Sequence, residues 1–175
     1  MRLFLEVAGF LAVVGAFAAA GNLVAASYRA RTVQLAAFRT GLDLLETEVT
    51  FAAAAMPLAL ERVGAGLAPP VGTVFQRAAA YLRSGAGVSA GEAWERAARD
   101  VFPDTALEGD DLDVLLALAP YLGVTDREDQ RRHLRLAAER LRAREEAARA
   151  EQGAAERMWR YLGVLGGLAC GLVFL

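Results

Sequence analysis

Long apolar ends enclose an amphipathic middle in this chain. From Val7 to Tyr28 no side chain is charged over 22 residues, which is enough helix to cross the roughly 30 Å hydrocarbon layer of a bilayer. The run from Tyr161 to Leu175 is also uncharged but has only 15 residues, so it spans fully only if it includes Met158 and Trp159, tilts little or thins the bilayer. The pattern predicts transmembrane helices at 1–28 and 159–175 around a helical domain at 29–158.

The N-terminal segment has a second interpretation, as a secretory signal peptide removed after Ala20. Small residues at 18 and 20 fit a cleavage site, but the apolar run is longer than a usual signal core. Arg2 is the only basic residue before it, and the acidic Glu6 follows. We therefore expect a retained anchor. A secreted helical binding protein stays open as the alternative.

Two apolar stripes predict a pair of long helices. Between residues 32 and 55 apolar side chains recur at alternating steps of three and four, the spacing of one helical face: Leu35, Phe38, Leu42, Leu45 and Val49. A second helix is predicted from Thr125 to about Tyr161, because Thr125 and Glu128 form a capping-box pattern and strong helix formers follow without proline. The two are expected to run antiparallel as a stalk. The facing stripe would be Leu134, Ala137, Leu141 and Ala148.

Turn signals divide the intervening segment into four shorter helices, expected at 57–63, 71–82, 89–101 and 110–122. Ser89 and Glu92 repeat the capping-box pattern before a helix that carries Trp94, which we expect in the core. Pro120 is expected to bend the last turn of the fourth helix. Because no segment alternates as a strand does, the predicted fold class is all-α, with a six-helix central domain.

Basic and aromatic residues border both apolar segments and are predicted to anchor them: Tyr28, Arg29, Arg31, Arg157, Trp159, Arg160 and Tyr161. Arginines on both flanks place the central domain in the cytoplasm by the positive-inside rule, and aromatic rings suit the membrane interface. Gly163, Gly167 and Gly171 follow one another at steps of four, a spacing that lets transmembrane helices pack closely. Alanines at 8, 12, 16 and 20 give the first segment a similar face, although the high alanine content explains them equally well.

Composition and motifs argue against catalysis. The formal net charge is −2, which gives no basic footprint for nucleic acid. One histidine and one cysteine on separate elements cannot form a usual zinc site, and His133 has no nucleophile motif beside it. Asp110, Asp111 and Asp113 lack the spacing of a calcium loop and are read as the first turn of a helix. We predict no enzyme activity and no cofactor.

Three blocks of residues resemble the stage III sporulation protein AB family. They are Leu42 to Leu60 with Leu-Glu-Thr-Glu-Val at 45–49, Ala93-Trp94-Glu95, and Leu122 to Arg127 followed by Gln130, His133, Leu134 and Leu136. The two apolar ends match the same layout, so the resemblance covers essentially the whole chain. Phe51 and Met56 stand where the family pattern has tyrosine and threonine, which puts a polar role at those two positions in doubt.

The resemblance implies a function that the residue patterns do not give. The family belongs to the channel-like apparatus that links mother cell and forespore in endospore-forming bacteria, in the mother-cell membrane around the forespore. It is related to the cytoplasmic six-helix domains of F-type platform proteins in type II secretion and type IV pilus systems. By that analogy the chain would bind a secretion-type ATPase, the AA member of the same operon, together with other membrane proteins of that operon and lipid. A homo-oligomer is compatible with this role, and a truncated general platform protein is the alternative.

The candidate partner surface consists of Glu46, Glu48, Asp126, Arg127, Gln130 and His133. Glu46 and Glu48 cannot share a proton, because residues two apart on a helix point in different directions. A purely structural interpretation stays beside the partner interpretation. In it, Asp126 and Glu128 cap the long helix, while Gln130 and His133 tie it to the helix that carries Glu46.

Overall fold

The structure is a computed structural model that describes residues 2–50, 54–85, 87–123 and 126–173, without the side chains of 2–25, 155–157 and 159–173. Within these residues every regular element is helical, which confirms the all-α class. Six α-helices follow one another: α1 Arg2–Thr50, α2 Met56–Ala65, α3 Val71–Arg83, α4 Ala90–Val101, α5 Gly109–Leu116 and α6 Arg127–Val173. Two 3₁₀ turns, Phe102–Asp104 and Ala119–Tyr121, flank α5.

The chain divides into two compact units. One consists of Met1–Ala30 with Ala148–Leu175, and the other of Arg31–Ala147. The second unit contains the four short helices together with the C-terminal part of α1 and the N-terminal part of α6. Its side chains are described almost completely, so the packing and the candidate sites below belong to it.

The apolar stripe of α1 forms the centre of the core, as its spacing predicts. Leu35, Phe38, Leu42 and Leu45 have no exposed surface and Val49 is 7% exposed. The α6 stripe is buried as well, at Leu134, Ala137, Leu141 and Ala148. Antiparallel pairing of the two helices is supported by the ion pairs of Glu46 with Arg135 and of Arg39 with Glu145.

Aromatic rings connect α1 to the short helices. The ring centroids of Phe38 and Phe75 are 6.2 Å apart, and those of Phe75 and Trp94 are 5.1 Å apart in an edge-to-face arrangement, a favoured geometry. Trp94 has no exposed surface, and its indole Nε1 donates to the carbonyl of Leu115 at 2.7 Å. The predicted core position of Trp94 is therefore confirmed, and its one polar atom is satisfied.

The capping box predicted at Ser89 is present at the start of α4. The Glu92 amide donates to Ser89 Oγ at 3.2 Å, and the Ser89 amide donates to a Glu92 carboxylate oxygen at 2.8 Å. This reciprocal pair satisfies two amides that have no partner within the helix.

The predicted extent of α5 is wrong, because the helix ends at Leu116 rather than Leu122. Pro120 has no amide to donate to the carbonyl four residues earlier, so the chain tightens into a 3₁₀ turn. In that turn the Tyr121 amide bonds to Leu118 at 3.1 Å and the Leu122 amide to Ala119 at 3.3 Å. Gly123 follows with a φ of 76°, a backbone conformation that glycine adopts without strain.

The predicted membrane spans receive no support from the described residues. Among those residues no helix has the length and apolar character needed to cross a membrane. The segments 1–28 and 159–175 lie mostly outside the part of the chain whose side chains are described. The backbone of both segments is helical wherever it is described.

Two glycines offer a matched test of the contact between α4 and the Ala119–Tyr121 turn. A Cβ on Gly91 would lie 2.2 Å from the Ala119 carbonyl oxygen, whereas one on Gly109 would meet no atom within 4 Å. Overpacking against rigid backbone costs about 1–3 kcal/mol. We expect Gly91→Ala to lower the free energy of unfolding of the full-length chain by about that amount in a urea titration followed by circular dichroism. Gly109→Ala should leave it unchanged or raise it by up to about 1 kcal/mol, and equal effects would contradict the proposed close contact.

Candidate functional site

The two predicted glutamates near the end of α1 point to different neighbours. Glu46 Oε1 accepts from Arg135 Nη2 of α6 at 2.9 Å. Glu48 Oε2 accepts from Arg62 Nη1 of α2 at 3.0 Å. The expectation that these carboxylates do not share a proton is therefore met. Each one instead joins α1 to a different helix.

The start of α6 differs by one residue from the predicted capping box. Asp126 is the N-cap: its Oδ1 accepts from the Asp129 amide at 2.8 Å, and its carbonyl accepts the Gln130 amide at 2.9 Å. Thr125 lies outside the described residues. An aspartate with its oxygen on the third amide is among the best caps, so the structural interpretation of Asp126 is the one that the geometry supports.

Gln130 and His133 lie on one face of α6, where they contact the protein interior. Gln130 is 5% exposed, and its Nε2 has no hydrogen-bond partner among the described residues. The His133 ring stacks on the Tyr121 ring with centroids 3.3 Å apart and planes at 9°. Its Nε2 lies 3.8 Å from Asp129 Oδ1. The contact of His133 with Tyr121 packs the beginning of α6 against the 3₁₀ turn.

Arg127 differs from the other five predicted partner residues. It is exposed, and within the described ranges its guanidinium has neither a hydrogen bond nor an ion pair. The others are a cap, a buried amide, a stacked ring and two ion-paired carboxylates. Arg127 is thus the member of the set whose charge is available to another molecule.

The strongest polar feature of the structure is an ion cluster around Asp111, in the first turn of α5. The Asp111 side chain has no exposed surface. Arg31 of α1 donates to it through Nε at 2.8 Å and Nη2 at 3.2 Å, and Arg144 of α6 donates through Nε at 2.8 Å. The Glu108 amide adds a bond of 3.0 Å, and the Glu108 carboxylate lies 2.7 Å from Arg31 Nη1.

This cluster corrects one sequence-based interpretation and adds to another. Arg31 was expected to anchor the chain at the membrane surface, but it is 4% exposed and its guanidinium is occupied by two carboxylates. Asp111 lies in the first turn of a helix, as expected, and the structure shows in addition that it is buried between α1 and α6. A signal for both is present in the spacing. Arg31 precedes Leu35 by one turn on the buried stripe, and Asp111 precedes the buried Leu115 in the same way.

The electrostatics of the cluster stabilise the ionised carboxylate. Burial alone would raise the pKa of Asp111, but the hydrogen bonds from Arg31, from the Glu108 amide and from Arg144 outweigh it and hold the pKa below the usual aspartate range. A carboxylate that accepts several bonds from positive or amide donors behaves in this way. Asp111 therefore remains charged at physiological pH.

Of the remaining residues predicted to anchor the chain or to pack transmembrane helices, the structure describes the side chains of two. Tyr28 is half-buried and Arg29 is exposed. The side chains of Arg157, Trp159, Arg160 and Tyr161, and the surroundings of Gly163, Gly167 and Gly171, lie outside the described residues. In the part of the chain that is described, no three His, Cys, Asp or Glu side chains are grouped to hold a metal ion.

Comparison with known proteins settles the family. The family model for stage III sporulation protein AB matches residues 6–175. The chain belongs to this family. The stage III sporulation protein AB of Bacillus subtilis (strain 168) is 32% identical over 164 residues, covering 94% of this chain and 95% of the relative. A solved structure of stage III sporulation protein AB (SpoIIIAB) is 30% identical with a TM-score of 0.67, and covers 71% of this chain and 98% of that one.

Membership confirms the resemblance inferred from the three sequence blocks and connects the chain to sporulation. The family match runs through both apolar ends, whereas the similar solved structure covers a smaller share of this chain. Asp111, Arg31 and Arg144 were not among the residues that carried the resemblance, so the ion cluster is a finding of the structure.

Replacement of Asp111 by asparagine tests the cluster. The change removes one partner of a buried ion pair, which costs about 3–5 kcal/mol where no other partner remains. Because Arg31 keeps Glu108, we expect a loss near 3 kcal/mol in the free energy of unfolding. Asp113→Asn is the matched control, since Asp113 is exposed on the same helix and has no partner among the described residues. It should change stability by less than about 0.5 kcal/mol.

The variants Asp111→Asn and Asp113→Asn also test a predicted pH dependence of the free energy of unfolding. The pKa of Asp111 is lower in the folded state, so its stabilisation is complete above the ordinary aspartate pKa of about 3.9 and is lost as the pH falls through the folded value. Unfolding titrations between pH 7 and pH 2.5 should show a steeper acid loss for the wild type and Asp113→Asn than for Asp111→Asn. Parallel curves for all three would contradict the assigned ionisation.

Proposed function

We propose that this protein is a non-enzymatic membrane component of the secretion-like channel apparatus that links mother cell and forespore. Both apolar ends lie in the mother-cell membrane around the forespore, and the Arg31–Ala147 unit lies in the cytoplasm. There it binds a secretion-type ATPase and passes the motion of that ATPase to membrane partners through α1 and α6. The observation that carries this proposal is the family match over residues 6–175, which includes both apolar ends.

The described geometry supports a mechanical role in the second unit. The long helices α1 and α6 are connected by Glu46 with Arg135, by Arg39 with Glu145, and through Asp111 by Arg31 and Arg144. Glu145 and Asp111 are both almost completely buried. Ion pairs at several levels oppose sliding of one helix along the other, because sliding would leave buried charges without partners. A paired-helix element of this kind can transmit force with little internal deformation.

The proposed ATPase surface is the end of the unit that carries Asp126, Arg127, Gln130 and His133, with Glu46 and Glu48 nearby. Asp126, Gln130 and His133 fix the direction of the first turns of α6. Arg127 then supplies an exposed positive charge, which suits an acidic patch on a partner. The neighbouring residues stabilise the start of the helix that carries Arg127, and this structural role is compatible with a partner contact at the arginine.

Charge reversal at Arg127 tests this surface. Arg127→Glu should reduce the amount of the operon's ATPase that copurifies with the full-length chain by about tenfold or more, because a like-charge contact at an interface is strongly unfavourable. Arg96→Glu is the matched control, since Arg96 of α4 is also exposed and has no hydrogen bond or ion pair in the described part of the chain. Circular dichroism should be unchanged for both, and full recovery of the ATPase with Arg127→Glu would remove this surface from the proposal.

Cysteine accessibility tests the topology. In a Cys170→Ser background, Ser84→Cys places one thiol in the exposed connection after α3. A membrane-impermeant maleimide should not label this cysteine in intact cells and should label it after lysis. Labelling of intact cells would put the central unit outside the cytoplasm, and the coupling to an ATPase would fail with it.

A further inference from the structure

A small groove with a mixed polar and apolar lining lies between α5, the following 3₁₀ turn and α6. It is lined by Val114, Ala117, Leu118, Tyr121, His133, Leu136, Ala137 and Arg140, and its volume is about 160 Å³. A cavity of roughly 150 Å³ holds one group of about the size of benzene, so this groove has room for one side chain of the size of leucine. Arg140 at its edge is exposed and has no hydrogen bond or ion pair within the described residues.

The outward face of α1 carries apolar surface without charge at its centre. Val33 is 67% exposed and Leu44 is 43% exposed. The hydroxyls of Thr40 and Thr47 donate to carbonyls one turn earlier, at 2.9 Å and 3.0 Å. These hydroxyls are therefore already satisfied by the helix backbone. The centre of this face, at Val33, Thr40, Leu44 and Thr47, carries no charged side chain.

An acidic residue borders this face beside Leu44. The Asp43 carboxylate is about half-exposed and lies 3.9 Å from Arg39, at the limit of an ion pair. Burial raises the pKa of Asp43 and Glu46 adds to this effect, against the opposing charges of Arg39 and Arg135. Because its one ion pair is at the limiting distance and about half of the side chain is exposed, this carboxylate is accessible to a cation on another molecule.

The two surfaces lie at the same level of the bundle. Glu46 pairs with Arg135 and Arg39 with Glu145, so residue 43 of α1 lies level with about residue 139 of antiparallel α6. Asp43 and Leu44 are therefore level with Arg140 and Leu136. Copies of the chain held in one membrane, as in the proposed function, would present these surfaces to each other at matching height.

We propose that α1 of one copy packs against the α5–α6 groove of the next copy, with Leu44 in the groove and Asp43 paired with Arg140. The occupant is a second copy because its apolar side chain fits the volume and its carboxylate complements the unpaired arginine. This contact joins two different faces, so it repeats from copy to copy and forms a ring or a row in the membrane. One leucine and one ion pair bury far less surface than the roughly 1,200 Å² that a stable interface between proteins free in solution needs. Copies anchored in one membrane have a raised local concentration, which offsets the weaker affinity of such a small contact.

Disulfide trapping between copies tests the geometry. Full-length chains in a Cys170→Ser background are expressed as two tagged forms in one membrane, one with Leu44→Cys and the other with Leu136→Cys. Oxidation with copper phenanthroline should give a disulfide between the two forms in at least tenfold excess over either form alone. Leu44→Cys with Arg142→Cys is the control, because Arg142 is 71% exposed and does not line the groove.

Charge exchange gives an independent measurement. In the trapping pair, Asp43→Arg or Arg140→Asp alone should lower the yield of disulfide about tenfold, and the two changes together should restore it. Absence of the mixed disulfide, equal trapping with the Arg142→Cys control, or failure of the double variant to recover would each overturn the proposal.

This outcome is separable from that of the proposed function. Arg140→Asp should leave ATPase copurification unchanged, since Arg140 lies outside the surface assigned to that partner. Loss of trapping with normal ATPase recovery would remove the contact between copies alone. If the Arg127→Glu variant still forms the disulfide between copies but no longer copurifies the ATPase, the contact between copies stands and the ATPase surface is confirmed. If the Ser84→Cys variant is labelled in intact cells, the membrane arrangement on which the contact between copies rests is wrong.

Discussion

The arrangement of the central unit depends on Asp111, a fully buried carboxylate that two helices far apart in sequence must satisfy together. Arg31 of α1 and Arg144 of α6 both donate to it, so α5 can take its place only when both long helices are correctly aligned. A buried ion cluster adds little net stability compared with an apolar core, but the loss of one partner is costly. Its effect is therefore to select one register of α1, α5 and α6 among many that alanine-rich stripes would otherwise allow.

The short helices follow from this constraint. With α5 fixed at its first turn, Trp94 of α4 reaches the Leu115 carbonyl, and Gly91 allows α4 to approach the Ala119 carbonyl closely. Pro120 ends α5 early and turns the chain so that Tyr121 meets His133 at the start of α6. The groove between α5 and α6 is a product of the same geometry, because the shortened helix does not cover Leu136 and Arg140.

In this fold, the residues that hold the bundle together differ from those that are exposed to other molecules. Membership in the stage III sporulation protein AB family ties the chain to sporulation, and the structure separates residues that hold the bundle from residues that are available to others. Most charged side chains of the proposed ATPase surface are used internally, and Arg127 is the exception. On the described surface of the unit, Val33 and Leu44 of α1 and the residues of the α5–α6 groove include exposed side chains. The proposed partner contact and the proposed contact between copies therefore use different residues.

Residue patterns alone were enough to predict the class of fold, the buried stripes of α1 and α6, the capping box of α4, the core position of Trp94 and the family. Each of these depends on periodicity or on residues close together in the chain, which is why pattern alone was enough. They did not reveal the end of α5 at Leu116 or the burial of Arg31 and Asp111, and they left the cap of α6 open between Thr125 and Asp126. The burial of the two charges depends on side chains that meet across 80 residues of sequence. Only tertiary packing decides whether a charge meets water, lipid or a buried partner.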